Sequence, residues 1–163
     1  MGPEHLAVAF AAKPLTPKAP LWTLLVVSEA IDLLCFGFFA IGIEHAGITH
    51  TDLTHGVRIV TDGLFPWSHG LFMSVVWSLL AAGIAYLVWR DRQVSAIMGL
   101  VVFSHWVLDF IVHLPDLPLF LDGSPKVGLG VWGSGPGLIS SGILEIGLLL
   151  GGIMVYYTWR KKK

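Results

Sequence analysis

Charge is what this sequence has least of. Lys, Arg, Asp and Glu make up 13% of its 163 residues, hydrophobic side chains make up 55%, and the mean hydropathy is +0.75. That balance is too apolar for an ordinary soluble domain and points to a chain built for a bilayer. Basic surplus is missing as well: a net charge of -1 gives no footing for general nucleic-acid binding. The single cysteine, Cys35, lies in an apolar stretch, so no intrachain disulfide can form and the redox compartment is left open. A cleavable leader is not apparent. Lys13, Pro14, Pro17, Lys18 and Pro20 look superficially like a signal-peptide n-region, but the apolar run after them is too long. It also lacks a small-residue cleavage motif and contains Glu29 and Asp32, so it reads as an uncleaved first span. The glycine-rich GLGVWGSGPG lacks the Lys and Ser/Thr of a phosphate-binding loop. No internal repeat is evident.

What the sequence does have is four apolar runs, each long enough for the roughly 20 residues that a crossing helix needs. They cover residues 21–43, 67–89, 93–114 and 136–159, bounded by Pro20, Pro66, Pro115 with Pro118, and the glycine-rich segment before the fourth. Trp22, Trp67, Trp89 and Trp159 fall near their ends, where an aromatic ring suits the half-wet interface. Lys13 and Lys18 precede the first run, Arg90 and Arg92 separate the second from the third, and residues 160–163 are a basic tail. Placing these three regions on the cytoplasmic side satisfies the positive-inside rule with four crossings. The expectation is an all-α integral membrane protein: a bundle of four transmembrane helices, with both termini inside. Residues 1–20 form a cytoplasmic N-terminal segment, 21–159 a single membrane domain, and 160–163 the cytoplasmic tail. Of the two outer loops, 44–66 carries His45, His50 and His55 and suggests an interfacial helix. The loop 115–135 is rich in Gly and Pro and reads as irregular.

Every span also holds an ionisable residue: Glu29 and Asp32 in the first, His69 at the start of the second, His105, Asp109 and then His113 in the third, Glu145 in the fourth. An acid at midspan costs about 2.5–3.5 kcal/mol on insertion scales, so these groups should face inward or pair. No Lys or Arg lies within the spans to pair with them. Three solutions remain: protonated acids, His–carboxylate hydrogen bonds, or a bound cation. In FSHWVLDFIVHLPDLP, His105, Asp109, His113 and Asp116 share one helical stripe within about 80°. Counted inward from the outer span ends, Asp32, His105 and Glu145 lie about 14–17 Å deep at 1.5 Å per residue, whereas His69, His113 and Asp116 lie near the boundary. The groups should therefore form a column from the outer surface to midmembrane. A metal near its top could be held by His69 and Asp109 with either His105 or His113. Imidazole and carboxylate donors suit zinc, manganese or iron better than calcium. The same residues also admit purely structural roles. His105 and Asp109 could hydrogen-bond within the bundle, and Glu145, among Ser140, Ser141, Gly142 and Gly147, could be a packing lock or a proton carrier.

Two short elements, SHG at residues 68–70 and SHWVLD at 104–109, resemble hallmarks of the small inner-membrane metal-dependent hydrolases, a prokaryotic family of several-span proteins. The resemblance covers roughly residues 65–120. It implies His69, His105 and Asp109 as metal ligands, metal-assisted hydrolysis of a lipid or phosphoester, and a prokaryotic inner membrane as the location. The chain departs from the family at the Arg before its first His, replaced by Pro66–Trp67. It also departs at an early His–Asp element, for which only Glu29 and Asp32 stand here. On this reading Asp32 is a fourth ligand, the ion (zinc first, manganese or iron otherwise) activates water, and Glu29 or Glu145 is the general base. The substrate is amphiphilic. The alternatives are transport of protons, ions or a small solute along the Asp/Glu/His column, or a structural membrane subunit. Four spans being few for a transporter, that alternative implies a homo-oligomer.

Overall fold

The computed structural model describes residues 2–45, 48–52, 58–61, 65–121, 123–133 and 135–162. His55 and Lys163 lie outside them. The protein is all-α in its architecture, and three helices are long and apolar enough to cross a membrane. They are α4 (Leu71–Trp89), α5 (Arg92–Val112) and α6 (Gly135–Arg160). Before them come α1 (Glu4–Ala12), α2 (Leu21–Ser28) and α3 (Ala30–Ala40). The last two, bent by 53° at a break, make a fourth candidate when counted together as one span. The first span expected at 21–43 is thus not one straight helix. It breaks at Glu29, whose backbone leaves the helical region at φ -96°, ψ 6°.

Ahead of α6, the described residues of the outer loops form no α-helix. Residues 48–52 and 58–61 pair as an antiparallel hairpin, β1 (Ile48–Asp52) with β2 (Arg58–Thr61), in place of the expected interfacial helix. The physical reason lies in composition: Ile48, Thr49, Thr51, Ile59, Val60 and Thr61 are β-branched, and such side chains favour an extended backbone. The 115–135 loop is largely irregular, as its Gly and Pro suggest. It is interrupted by the short pair β3 (Leu117–Pro118) and β4 (Lys126–Val127) and a 3-10 turn at Val131–Gly133.

The centre of the bundle is α5. Its buried positions, from Val94 through Met98, Val101, Val102, His105 and Asp109 to Val112, follow the three-to-four-residue spacing of a single inward face. It packs against α1, α2, α3 and α4. The turn that joins α4 to α5 is only two residues long. Arg90 closes α4 in the left-handed region (φ 48°), its N–H donating to the Tyr86 carbonyl. Asp91 then caps α5 by accepting from the N–H groups of Gln93 and Val94, at 2.9 and 3.1 Å. The Lys18 ammonium, 2.6 Å away, and the Val94 N–H hold the exposed Asp91 carboxyl below its ordinary pKa. The Gln93 side chain donates to the Leu15 carbonyl, and Lys13 lies over the Trp159 ring. The three basic regions therefore meet at one end of the bundle, as four crossings with both termini on one side require.

The N-terminal residues do not form a loose tail. Helix α1 runs alongside α6 and ends at the basic face. Its nine residues span about 13 Å, under half the thickness of a bilayer's hydrocarbon core. Gly152 permits this approach, because a Cβ there would stand 2.4 Å from the Ala7 carbonyl oxygen. Around Ala9, Ala12, Leu24, Ala85, Val94, Met98 and Val101 the basic half of the bundle is apolar. The other half is not.

The Gly152 contact carries a prediction. The substitution G152A should destabilise the protein by about 1–3 kcal/mol, because a backbone oxygen cannot move aside as a side chain can. G151A adds a methyl where nothing lies within 4 Å and should be neutral or slightly stabilising. Parallel thermal melts in one detergent check this; equal melting temperatures would mean that α1 is not seated on α6.

Candidate metal centre

Four polar side chains from three separate segments converge at the inner end of this second half. Asp32 comes from the first turn of α3, His69 from the turn before α4, and His105 and Asp109 from successive turns of α5. They are 4%, 9%, 1% and 1% exposed. His69 Nε2 lies 3.4 Å from Asp32 Oδ1 and 3.5 Å from Asp109 Oδ2; His105 Nε2 lies 3.8 Å and 3.4 Å from the same two oxygens. The expected column is in fact a compact cluster. Depth counting failed because it treated the spans as straight: the bend at Glu29 redirects Asp32, and His69 precedes its helix.

The local sequence explains each placement. Residues 66–69 form a tight turn closed by the His69 N–H on the Phe65 carbonyl, 3.0 Å. A Cβ at Gly70 would fall 2.4 Å from the Pro66 carbonyl oxygen, so the third position of SHG has to be glycine. Glu44, buried at the end of the first span, anchors the turn. Its Oε1 accepts from the backbone N–H of Trp67 and Ser68, and its Oε2 from the Ser68 hydroxyl at 2.7 Å. Since Ser68 Oγ donates to Glu44, it accepts from His69 Nδ1, 2.8 Å away. In the neutral ring this leaves the lone pair on Nε2, which faces Asp32 and Asp109. His105 is set the same way: its Nδ1–H donates to the Ser28 carbonyl beside the helix break, 2.9 Å, and its Nε2 has no hydrogen-bond partner.

With both rings neutral, two imidazole lone pairs face two carboxylates. Charge-assisted N–H···O bonds close to about 2.7–2.9 Å, and these contacts are longer. They match donor spacing around a common cation: four ligands at 2.0–2.1 Å in tetrahedral array stand about 3.3–3.4 Å apart. Both oxygens of Asp109 and Oδ2 of Asp32 are buried without a hydrogen-bond partner. Two carboxylates and neutral imidazoles also leave two negative charges for a divalent ion to balance. Anchoring of each ring through its other nitrogen is the usual second layer of a metal site. The protein is therefore a helical membrane protein with a buried His/Asp cluster whose geometry is consistent with a metal-binding site. No family model, curated protein or solved structure matches the chain.

The remaining sequence candidates sit at the edges. His113 places Nε2 3.9 Å from the other Asp109 oxygen while its Nδ1 meets Asp116 at 3.2 Å. Glu29 occupies the helix break, its Oε1 buried and unpartnered, in electrostatic range of His5 and Asp32. Glu145 accepts a hydrogen bond from Trp132 at 3.3 Å and stands outside the four-residue cluster. Sequence reasoning missed Glu4, His5, Ser68 and Glu44. His5 stacks on His105 with centroids 3.6 Å apart and lies 3.4 Å from Asp109. The available signal was an acid and a histidine placed directly before LAVAFAA, a run too apolar for a solvated tail.

A cavity of about 190 Å³ reaches Asp32 and His69, walled by Phe36, Phe39, Phe65 and Leu117, with Cys35 and His113 also on its lining. Its walls are those of a site for an apolar chain, and its polar end is the cluster.

Proposed function

We propose that the cluster is the metal centre of a membrane-embedded hydrolase that acts on an amphiphilic substrate, a lipid or phosphoester. One observation carries this reading: two inward-facing imidazoles and two carboxylates, with three carboxylate oxygens buried and unpartnered, converge at the polar end of an aromatic-walled cavity. Asp32, His69, His105 and Asp109 would hold the ion, and two nitrogens with two oxygens at this spacing favour zinc, with manganese or iron as substitutes. When bound, the ion supplies a Lewis acid that lowers the pKa of water and polarises the scissile group. The chain's own residues do the rest. Ser68 and Glu44 hold His69 in the tautomer that binds, and the Ser28 carbonyl does the same for His105. The three Phe rings take the apolar part of the substrate and exclude bulk water. Glu29 is the better placed of the two expected bases, because its buried oxygen lacks a partner, whereas Glu145 is tied to Trp132. The convergence of SHG and SHWVLD on one point is what the resemblance to inner-membrane metal-dependent hydrolases implies for its ligands; a prokaryotic inner-membrane location rests on that resemblance alone.

A transport reading gains one specific observation, the crossing broken at an acidic residue, since broken helices recur at the binding sites of transporters. Protein purified without added ions separates the two. Elemental analysis should find bound divalent metal, and vesicle-embedded protein should release product from a panel of phospholipid and phosphodiester substrates. In H105A both metal and turnover should fall to background while the helical circular dichroism persists. Solute or proton flux by wild-type vesicles, without hydrolysis of any substrate in the panel, would favour transport.

A further inference from the structure

We propose that Asp109 bridges two divalent ions, the second held by Glu4, His5 and His113 on the opposite face of its carboxylate. This rests on the metal-centre reading above and extends it from one ion to two. The carboxylate of Asp109 divides its two oxygens between two sets of donors. Oδ2 faces His69 and His105 at 3.5 and 3.4 Å. Oδ1 faces His5 at 3.4 Å and His113 at 3.9 Å, and Glu4 Oε1 lies 3.5 Å from the same His5 nitrogen. Glu4, His5 and Asp109 bring one donor atom each to within mutual ligand distance.

Three features single this set out from a salt-bridge network. First, Glu4 and His5 are 2% and 1% exposed, and both oxygens of Glu4 and both nitrogens of His5 lack a hydrogen-bond partner. Buried ionisable groups are not left so exposed to desolvation cost unless something satisfies them. Their mutual distances, like those of the first set, are too long for charge-assisted hydrogen bonds and fit donors around a cation. Second, the His5 and His105 rings are nearly parallel, 7° apart, with centroids separated by 3.6 Å. Each directs its Nε2 to a different oxygen of one carboxylate, which matches the roughly 3.5–4 Å spacing of ions in two-metal hydrolytic sites. Third, charge balances. Glu4, Glu29, Asp32 and Asp109 are four acids in one region, with Glu145 in electrostatic range of Glu4, more than a single divalent ion would compensate. His113 fits the pattern of the other ligands, its Nδ1 held by Asp116 and its Nε2 turned inward.

The second ion also gives the half-length helix α1 a purpose. Besides contributing Ala9 and Ala12 to the apolar core, the nine-residue segment seated along α6 by the Gly152 contact delivers Glu4 and His5 to Asp109. A paired site of this kind clamps two oxygens of one substrate group, which suits the phosphoryl oxygens of a phosphoester.

The test is a count. Full-length protein, stripped with chelator and titrated with Co²⁺, should take up two equivalents. Filling the second should also reduce the Co²⁺ paramagnetic resonance signal per ion, through coupling across the shared carboxylate. E4Q and H5A should bind one equivalent with an uncoupled signal, and H69A should lose the equivalent of the first site. Wild-type protein that saturates at one equivalent, lost in H69A and kept in H5A, would overturn the second ion while leaving the single metal centre standing. No uptake at all would overturn both. The wild-type titration does not depend on any variant folding.

Discussion

Asparagine in place of Asp109 should leave the protein without bound metal, without turnover and without any response to chelator. The substitution keeps the shape of the side chain, so packing around α5 is spared, but it removes the negative charge and turns one of two accepting oxygens into a donor. Both oxygens of Asp109 face imidazole nitrogens within 3.9 Å, so no orientation of the amide preserves the arrangement. An ion present at 100 times its dissociation constant stabilises the native state by about 2.7 kcal/mol. For a chain of this size that corresponds to a chelator-induced drop in Tm on the order of 5–10 °C. Wild-type protein should show that drop and D109N should show none, its Tm being the same with and without chelator. Native metal content and an undiminished chelator response in D109N would remove Asp109 from the ligands and with it the centre as described.

A second large effect should come from a residue that touches no metal. Replacing Glu44 by Gln is expected to weaken metal binding by about 10–100-fold, the usual cost of disturbing a hydrogen-bond partner behind a ligand. Glu44 accepts three hydrogen bonds, two from backbone N–H groups and one from the Ser68 hydroxyl. An amide presents a donor to one side or the other. If it faces Ser68, the hydroxyl proton turns towards His69, Nδ1 must accept, and Nε2 carries its hydrogen into the cluster where a lone pair is needed. If it faces the backbone, the turn at residues 66–69 loses its anchor. S68A removes the partner of Nδ1 and so frees the tautomer, while the backbone bonds from Trp67 and Ser68 to Glu44 keep the turn anchored. Isothermal titration of stripped protein measures the affinity, and the melting temperature of the stripped forms reports the structural share. Metal affinity within twofold of wild type in both variants would mean that the tautomer of His69 is set by something else.

The sequence by itself determined the membrane character of this protein. Apolar runs of membrane-spanning length, tryptophans at their ends and lysines and arginines grouped outside them are local properties, legible one residue after another. The short turn between Trp89 and Arg92 was legible for the same reason, and so were the SHG and SHWVLD elements, since a helix fixes the spacing of His105 and Asp109 with no help from the rest of the fold. Only the tertiary structure decided which donors meet. Counting residues along straight spans separates His69 from Asp32 by most of half a bilayer, yet a 53° bend at Glu29 and a glycine-closed turn before α4 bring them to 3.4 Å. Glu44 was hidden in an outer loop and proved to be the anchor of that turn. Glu4 and His5 stood among residues read as a cytoplasmic segment, because an acid and a histidine near an N-terminus look the same in sequence whether water or a helix bundle surrounds them. Their burial follows from Gly152 on α6, almost the whole chain away, which lets α1 lie close enough to reach Asp109. Hydropathy along a chain has one dimension, and a set of donors around an ion has three.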